Sequence, residues 1–85
     1  MKYIFVDESW EDYLYWRRTD KKILKRINKL LKDIARNPYS GFGKPEPLKY
    51  KYKGFWSRRI TDEHRLIYKY HEGKILIAKC RFHYD

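Results

Sequence analysis

The sequence predicts a single α+β domain, in which a strand and two helices precede an antiparallel meander sheet. Apolar residues recur at helical spacing over about residues 20 to 36. Three runs rich in β-branched and aromatic residues follow later, at about 55 to 61, 65 to 70 and 74 to 82. Short turns separate these runs, which makes neighbouring strands antiparallel. We therefore expect both helices to pack together on one face of the sheet.

Length and charge define the general class of the protein. The 85 residues suffice for one domain, residues 1–85, with one modest core. Hydrophobic residues make up 42% of the chain, which indicates a folded protein although 38% of the residues are charged. The net charge of +10 favours an anionic partner such as nucleic acid, a membrane surface or an acidic protein. Six cations but a single carboxylate, Glu46, lie between Lys44 and Arg59.

Several classes of site and location are excluded. Cys80 is the only cysteine, which rules out an intrachain disulfide and a cysteine-based zinc site, and its apolar surroundings predict that it is buried. His64 and His71 lie in predicted turns and no His-Glu-x-x-His pattern occurs, so we expect no metal and no other cofactor. The apolar run at residues 2 to 6 is too short for a signal peptide or a membrane span. The sequence predicts a soluble, cytoplasmic protein.

The first half of the chain predicts one strand and two helices. Residues 2 to 6 form the strand, and a helix over about 9 to 18 begins with Ser9 as a candidate N-cap. Thr19 or Asp20 caps the second helix. Lysine and arginine line the polar face of this second helix, which suits either RNA contact or simple solvation.

A loop rich in glycine and proline, residues 39 to 47, connects the helices to the sheet. Pro45 and Pro47 restrict the backbone around Glu46, so we expect its carboxylate to be presented from an extended and ordered chain. Residues 48 to 52 follow as a candidate edge strand. The alternative interpretation of Glu46 is an incidental acid in an exposed turn.

The alternation of side chains in the meander decides which basic residues share a face. If Tyr70 pairs with Lys74, Arg65 lies opposite Lys79, and the next residues on that face are Arg81 and His83.

The register of the preceding hairpin stays open. If Thr61 pairs with His64, Arg58 shares the face of Arg65, whereas a slip of one residue brings Arg59 there instead. The predicted cluster, on the sheet face opposite the helices, consists of Arg65, Arg81, His83 and one of Arg58 or Arg59.

This cluster, together with Glu46, could cleave RNA without a metal. The reaction needs a base that removes the 2′-OH proton, cations that stabilise the phosphorane, and an acid that protonates the leaving 5′-oxygen. Glu46, Arg65 and His83 could fill these roles in turn. The simpler alternative is a set of arginines that keep a sheet soluble and a terminal histidine without a role.

Five segments are more specific than any single motif. They are Glu-Ser-Trp-Glu-Asp-Tyr (8 to 13), Gly-Lys-Pro-Glu-Pro-Leu-Lys (43 to 49), Phe-Trp-Ser-Arg-Arg-Ile (55 to 60), Glu-His-Arg-Leu-Ile-Tyr (63 to 68) and Cys-Arg-Phe-His-Tyr (80 to 84). Together they resemble the YoeB toxins of the RelE/ParE superfamily, over essentially the whole chain. The resemblance implies a RelE-like fold and a ribosome-dependent endoribonuclease that cuts mRNA in the decoding site.

The resemblance also implies roles for individual residues. Glu46 corresponds to the general base, Arg65 to the group that stabilises the transition state, His83 to the general acid, and Tyr84 to a tyrosine that positions or stacks the substrate. Further residues predicted to bind RNA are Lys49 and Arg59, by resemblance, and Lys44, Arg58 and Arg81, from their places in the basic segment and on the sheet.

Partners follow from the same resemblance: mRNA and the ribosome, an acidic YefM-type antitoxin whose tail covers the site, and a second copy in a homodimer. Asp85 departs from the usual end of such chains after the tyrosine, and it adds negative charge that either folds away or weakens RNA binding. The alternative function is a non-catalytic RNA- or ribosome-binding module, or a ParE-like topoisomerase inhibitor. Glu46 favours the nuclease, because RNA binding alone has no use for a rigid carboxylate.

Overall fold

A computed structural model describes residues 1–83 of the chain, so the predictions for Tyr84 and Asp85 lie outside the described residues. The elements in chain order are β1 (Lys2–Phe5), α1 (Asp7–Thr19), α2 (Lys21–Arg36), β2 (Glu46–Pro47), a 3₁₀ turn (Tyr50–Tyr52), β3 (Trp56–Arg59), β4 (Arg65–His71) and β5 (Lys74–Lys79). This order confirms the predicted α+β architecture.

The sheet has the strand order β1-β5-β4-β3-β2. Strands β2 to β5 form the predicted antiparallel meander, and β1 joins it in parallel beside β5. Both helices cover one face, where Leu30 and Ile34 of α2 pack with Leu66, Tyr68 and other alternate residues of the central strands. The opposite face is therefore the place where the predicted site has to form.

The two helices begin differently from each other. Of the two predicted caps of α2, Thr19 and Asp20, the structure has Asp20, whose carboxylate accepts hydrogen bonds from the backbone N–H groups of Lys22 and Ile23. The predicted N-cap Ser9 is wrong, because α1 begins at Asp7 and Ser9 lies inside its first turn. The Ser9 hydroxyl is buried and donates instead to the Ile77 carbonyl of β5, 2.6 Å away, which fastens α1 to the sheet.

Two predicted strand boundaries are also wrong. Residues 48 to 52 do not form an edge strand, because Tyr50 has a φ of 57° and opens a 3₁₀ turn. The last strand ends at Lys79 and not near residue 82, where Phe82 has a φ of 65°. Within residues 1–83, no helix has the length and apolar character needed to cross a membrane.

Candidate active site

The register between β3 and β4 decides which arginine faces the site. Arg59 pairs with Arg65, and Arg58 pairs with Leu66. Leu66 belongs to the core under the helices, so Arg59 and Arg65 lie on the other face. The sequence allowed either Arg58 or Arg59 to share the face of Arg65, and in the structure it is Arg59.

The register between β4 and β5 differs from the prediction. His71, and not Tyr70, pairs with Lys74, because the turn contains only Glu72 and Gly73, both with positive φ. An irregularity between Ile67 and Tyr68 shifts the ladder further. Lys79 consequently lies opposite Ile67 and not opposite Arg65.

A polar cavity of about 190 Å³ opens on the face away from the helices. Three of its lining residues come from distant parts of the chain: Glu46 from β2, Arg65 from the start of β4, and His83 from the C-terminal tail. The other described residues of the lining are Lys44, Ser57 and Arg59. The structure thus brings together the three predicted catalytic residues that lie within residues 1–83, and with them two of the predicted RNA contacts.

Arg65 is held in place by the turn that precedes its own strand. Its side chain is almost buried, and its Nη1 donates to the carbonyls of Thr61 at 2.7 Å, Asp62 at 3.0 Å and His64 at 3.1 Å. Within residues 1–83 these bonds all come from Nη1, so Nε and Nη2 can donate to an anion in the cavity. The cation is therefore oriented before any ligand binds.

Glu46 lies on the short edge strand β2, opposite Ser57 of β3. Its carboxylate is exposed, and the loop before it is docked on β3 through a 2.7 Å hydrogen bond from the Arg59 N–H to the Gly43 carbonyl. The extended backbone predicted at Glu46 is confirmed by its place in β2. The same docked loop carries Lys44 to the cavity.

Arg58 has a different role from the one predicted. It is fully buried, and it forms an ion pair with Asp33 at 2.7 Å. Its other donors bind Tyr68 Oη and the backbone carbonyls of the loop after α2, at residues 37, 40 and 42. Because these donors are engaged inside the protein, the structure argues against the prediction that Arg58 contacts RNA.

Arg81 and Lys49 lie outside the cavity. The Arg81 guanidinium packs over the Tyr15 ring, 3.5 Å from its centre, and over the Phe82 ring. This placement on the side of α1 argues against the predicted cluster of Arg81 with Arg65 and against an RNA contact. Lys49 is exposed and lines a neighbouring groove that shares Glu46 with the cavity.

Two residues near the site were not singled out from the sequence. Ser57 is buried at the cavity wall, and the two-residue spacing from Arg59 would have indicated it once the register was known. His64 contacts the tail that carries His83, and no sequence signal predicts that contact.

Burial perturbs the ionisable groups of Asp12, Tyr68 and Cys80. Burial raises the pKa of the Asp12 carboxyl and of the Tyr68 hydroxyl, in each case against the effect of a hydrogen bond. Cys80 is fully buried, as predicted, and burial raises the pKa of its thiol far above the usual range. A thiol in that state is a packing group and not a nucleophile.

Comparisons with known proteins identify the family of the chain. Residues 5–84 match the family described as YoeB-like toxin of bacterial type II toxin-antitoxin system. Toxin YoeB of Escherichia coli (strain K12) is 61% identical over 84 residues, which cover 99% of this chain and all of that protein.

Solved structures extend the likeness to the fold. The YoeB/ParE toxin from Agrobacterium tumefaciens superposes with a TM-score of 0.95 at 46% identity, covering 99% of this chain and 100% of the other. Two structures from Staphylococcus aureus, a heterotetrameric YoeB-YefM complex and a YoeB dimer, superpose with TM-scores of 0.92 and 0.93. Each is 47% identical and covers 99% of this chain and 98% of its own.

Proposed function

The chain belongs to the YoeB-like toxins of bacterial type II toxin–antitoxin systems, and from this premise we propose that it is a ribosome-dependent endoribonuclease that cuts mRNA in the decoding site. The main support is the single cavity in which Glu46, Arg65 and His83 meet. A carboxylate, a fixed guanidinium and an imidazole are the groups that metal-independent RNA cleavage requires.

In the proposed reaction, Glu46 removes the proton from the ribose 2′-OH. The 2′-oxygen then attacks the adjacent phosphorus, the bond from phosphorus to the 5′-oxygen breaks, and a 2′,3′-cyclic phosphate forms. His83 in its protonated form gives its proton to the leaving 5′-oxygen. Each proton transfer by a positioned side chain contributes roughly 10²- to 10⁴-fold to the rate.

Arg65 and Arg59 supply the charge stabilisation for this reaction. Both residues line the same cavity, and they come from the neighbouring strands β3 and β4. The negative charge on the phosphorane oxygens would lie between the two guanidinium groups. Lys44 adds a third cation, whereas Glu46 is the only acidic residue in the lining among residues 1–83. Residues 1–83 contain no group of three or more His, Cys, Asp or Glu that could hold a metal ion. In the proposed reaction, cationic side chains stabilise the charge on the phosphorane.

Substrate binding is proposed to extend beyond the cavity. Lys49 lies in the groove next to Glu46, where it could contact a phosphate of the flanking mRNA. The proposed role of Tyr84 in positioning or stacking the substrate rests on resemblance alone. Because ribosomes are the site of action, the proposed location is the cytoplasm.

An acidic antitoxin of the YefM type is the proposed regulator, and a homodimer the proposed assembly. The S. aureus relative occurs in a YoeB-YefM complex and as a dimer. The net charge of +10 and a cavity lined by three cations would favour an acidic tail over the site. Copurification with an untagged protein encoded beside this one is the expected result.

Mapping mRNA ends by primer extension after brief expression tests the proposed nuclease. New ends within codons of translated messages are expected for the wild type. Glu46→Gln and His83→Gln should each reduce cleavage at least about 100-fold while ribosome binding persists, because binding rests on many cations. Glu72→Gln and His71→Gln, at the exposed β4–β5 turn, are the matched controls and should cleave normally.

Two results would contradict the proposed nuclease. If Glu46→Gln and His83→Gln still cut translated mRNA at near the wild-type rate, the assignment of the catalytic groups is wrong. If the wild type leaves mRNA intact while replication stalls, the protein acts as a topoisomerase inhibitor.

A further inference from the structure

His64 is nearly buried under the C-terminal tail, with 9% of its surface exposed. Its ring packs edge-on against Trp16, with the ring centres 4.7 Å apart. Its Nδ1 accepts a 2.7 Å hydrogen bond from the backbone N–H of Phe82, the residue before His83. We propose that His64 is a positioning residue that orients His83 in the cavity; this inference rests on the proposed nuclease function.

Phe82 is the point at which the tail turns toward the cavity. Its φ of 65° lies in the left-handed region, which is energetically costly for a residue with a side chain. Two hydrogen bonds offset that cost: the Phe82 N–H donates to His64 Nδ1, and the Phe82 carbonyl accepts from the Arg65 N–H at 3.0 Å. Without the His64 acceptor, the backbone at Phe82 is free to return to a common conformation, and His83 would point elsewhere.

The hydrogen bond also fixes the proton on the His64 ring. Because Nδ1 accepts, the ring proton must be on Nε2, which lies 3.6 Å from a Glu63 carboxylate oxygen. His64 therefore serves as a hydrogen-bond acceptor in this arrangement, whereas His83 has to gain and lose a proton during the proposed reaction. The two histidines have separate tasks, and only His83 lines the cavity.

The backbone around His64 holds the other catalytic group. The His64 carbonyl accepts from Arg65 Nη1, and the Thr61 hydroxyl accepts from the His64 N–H at 3.1 Å. Arg65 and His83 are thus both anchored to the same turn, Arg65 through its side chain and His83 through the backbone of Phe82. A displacement of about 1 Å between such groups can cost about 100-fold in rate, so a small change at His64 should be visible in catalysis.

Three variants separate the acceptor from the ring. His64→Phe keeps a ring against Trp16 but removes the acceptor. His64→Leu also removes the acceptor, with an aliphatic side chain in place of the ring, and serves should His64→Phe fail to fold. His64→Asn places an amide oxygen near the position of Nδ1 but removes the ring. The control is His71→Phe, an exposed histidine at the far end of β4.

The first measurement is the single-turnover cleavage of mRNA on saturating ribosomes, together with the dissociation constant for ribosomes. We expect His64→Phe to cleave about 10 to 100 times more slowly with unchanged ribosome affinity. His64→Asn should recover part of the rate, and His71→Phe should equal the wild type. A wild type that does not cleave mRNA would refute the proposed nuclease itself, independently of His64.

The second measurement is hydrogen exchange of the Phe82 amide in the intact protein, which does not depend on activity. Exchange should be slow in the wild type and in His64→Asn, and fast in His64→Phe or His64→Leu, while amides within β4 stay protected. The inference is overturned if the acceptor-free variants keep Phe82 protected. It is also overturned if they lose that protection and still cleave at the wild-type rate.

Discussion

Arg59 lies directly opposite Arg65 in the ladder between β3 and β4, so two guanidinium groups project from neighbouring positions of the same sheet face. Like charges at such positions repel each other and destabilise a sheet. Three carbonyl groups fix Arg65, and Arg59 is exposed to solvent. The arrangement suits a bound phosphate, whose negative charge would compensate both cations.

Replacing Arg59 should therefore stabilise the protein and impair its function. Arg59→Thr removes the repulsion and introduces a residue that favours strands, so we expect a gain of up to about 1 kcal/mol in the free energy of unfolding. Cleavage should fall about 10- to 100-fold, because a charged hydrogen bond to phosphate is lost. Urea unfolding and single-turnover cleavage measure the two effects. Lys53→Thr, at an exposed position outside the cavity, should change cleavage little.

The adjacent arginine should behave in the opposite way. Arg58→Gln leaves the buried partners of Arg58 without a cation, and losing one member of a buried ion pair costs about 3 to 5 kcal/mol. Arg59→Gln is the matched control one residue away, and it should cost little or nothing. Urea unfolding of both variants checks the difference. Equal stabilities would contradict the structural role assigned to Arg58.

These neighbours show where sequence reasoning reaches its limit. Side-chain alternation requires Arg58 and Arg59 to face opposite ways, but both registers fit the turn before β4. Which arginine faces the helices depends on Asp33, which comes 25 residues earlier in the chain and pairs with Arg58. Helix α2 was predictable because its own apolar period specifies the buried face.

The site itself was predictable in part for similar reasons. Local backbone restriction by Pro45 and Pro47 was enough to expect an ordered Glu46. The path of the tail was not predictable, because the run of strand-like residues continues to about 82 while Phe82 adopts positive φ. In that conformation the Phe82 N–H donates to His64, a contact between residues 18 positions apart.

Asp12 should make stability depend on pH in an unusual direction. Its buried carboxyl accepts a hydrogen bond from the Cys80 N–H at 3.0 Å, yet desolvation raises its pKa above the ordinary value of 3.8. At pH values between the unfolded and the native pKa, the Asp12 carboxyl therefore keeps its proton in the native chain and has lost it in the unfolded chain. This stabilising contribution is complete below the unfolded pKa and is lost as the pH rises through the native pKa.

The substitution Asp12→Asn removes this titration and keeps an oxygen that can accept from Cys80. The stability of Asp12→Asn relative to the wild type should increase as the pH rises from about 4 toward neutrality. Urea unfolding at a series of pH values measures the difference. Asp7→Asn, an exposed acid in the first turn of the same helix, should show no such gain. A stability difference for Asp12→Asn that does not vary with pH would contradict the raised pKa.

Gly43 and Gly73 form a matched pair for testing how the loop before β2 is docked. Both have left-handed backbones, with φ of 83° and 76°. An added Cβ at Gly73 would meet no atom within 4 Å, whereas one at Gly43 would lie 2.8 Å from a methyl group of Leu30 and 3.3 Å from the Arg59 carbonyl. Gly73→Ala should thus cost only backbone strain, about 1 to 2 kcal/mol, and Gly43→Ala should cost more.

The two variants should also differ in activity. The Gly43 carbonyl accepts from the Arg59 N–H, and Lys44 and Glu46 follow directly, so a displaced loop would move both side chains out of the cavity. We expect Gly43→Ala to cleave ribosome-bound mRNA at least about 10-fold more slowly, and Gly73→Ala to match the wild type per folded molecule. Single-turnover rates at a temperature where both variants are folded decide the point. Equal rates for the two would mean that the docking of this loop does not control the position of Glu46.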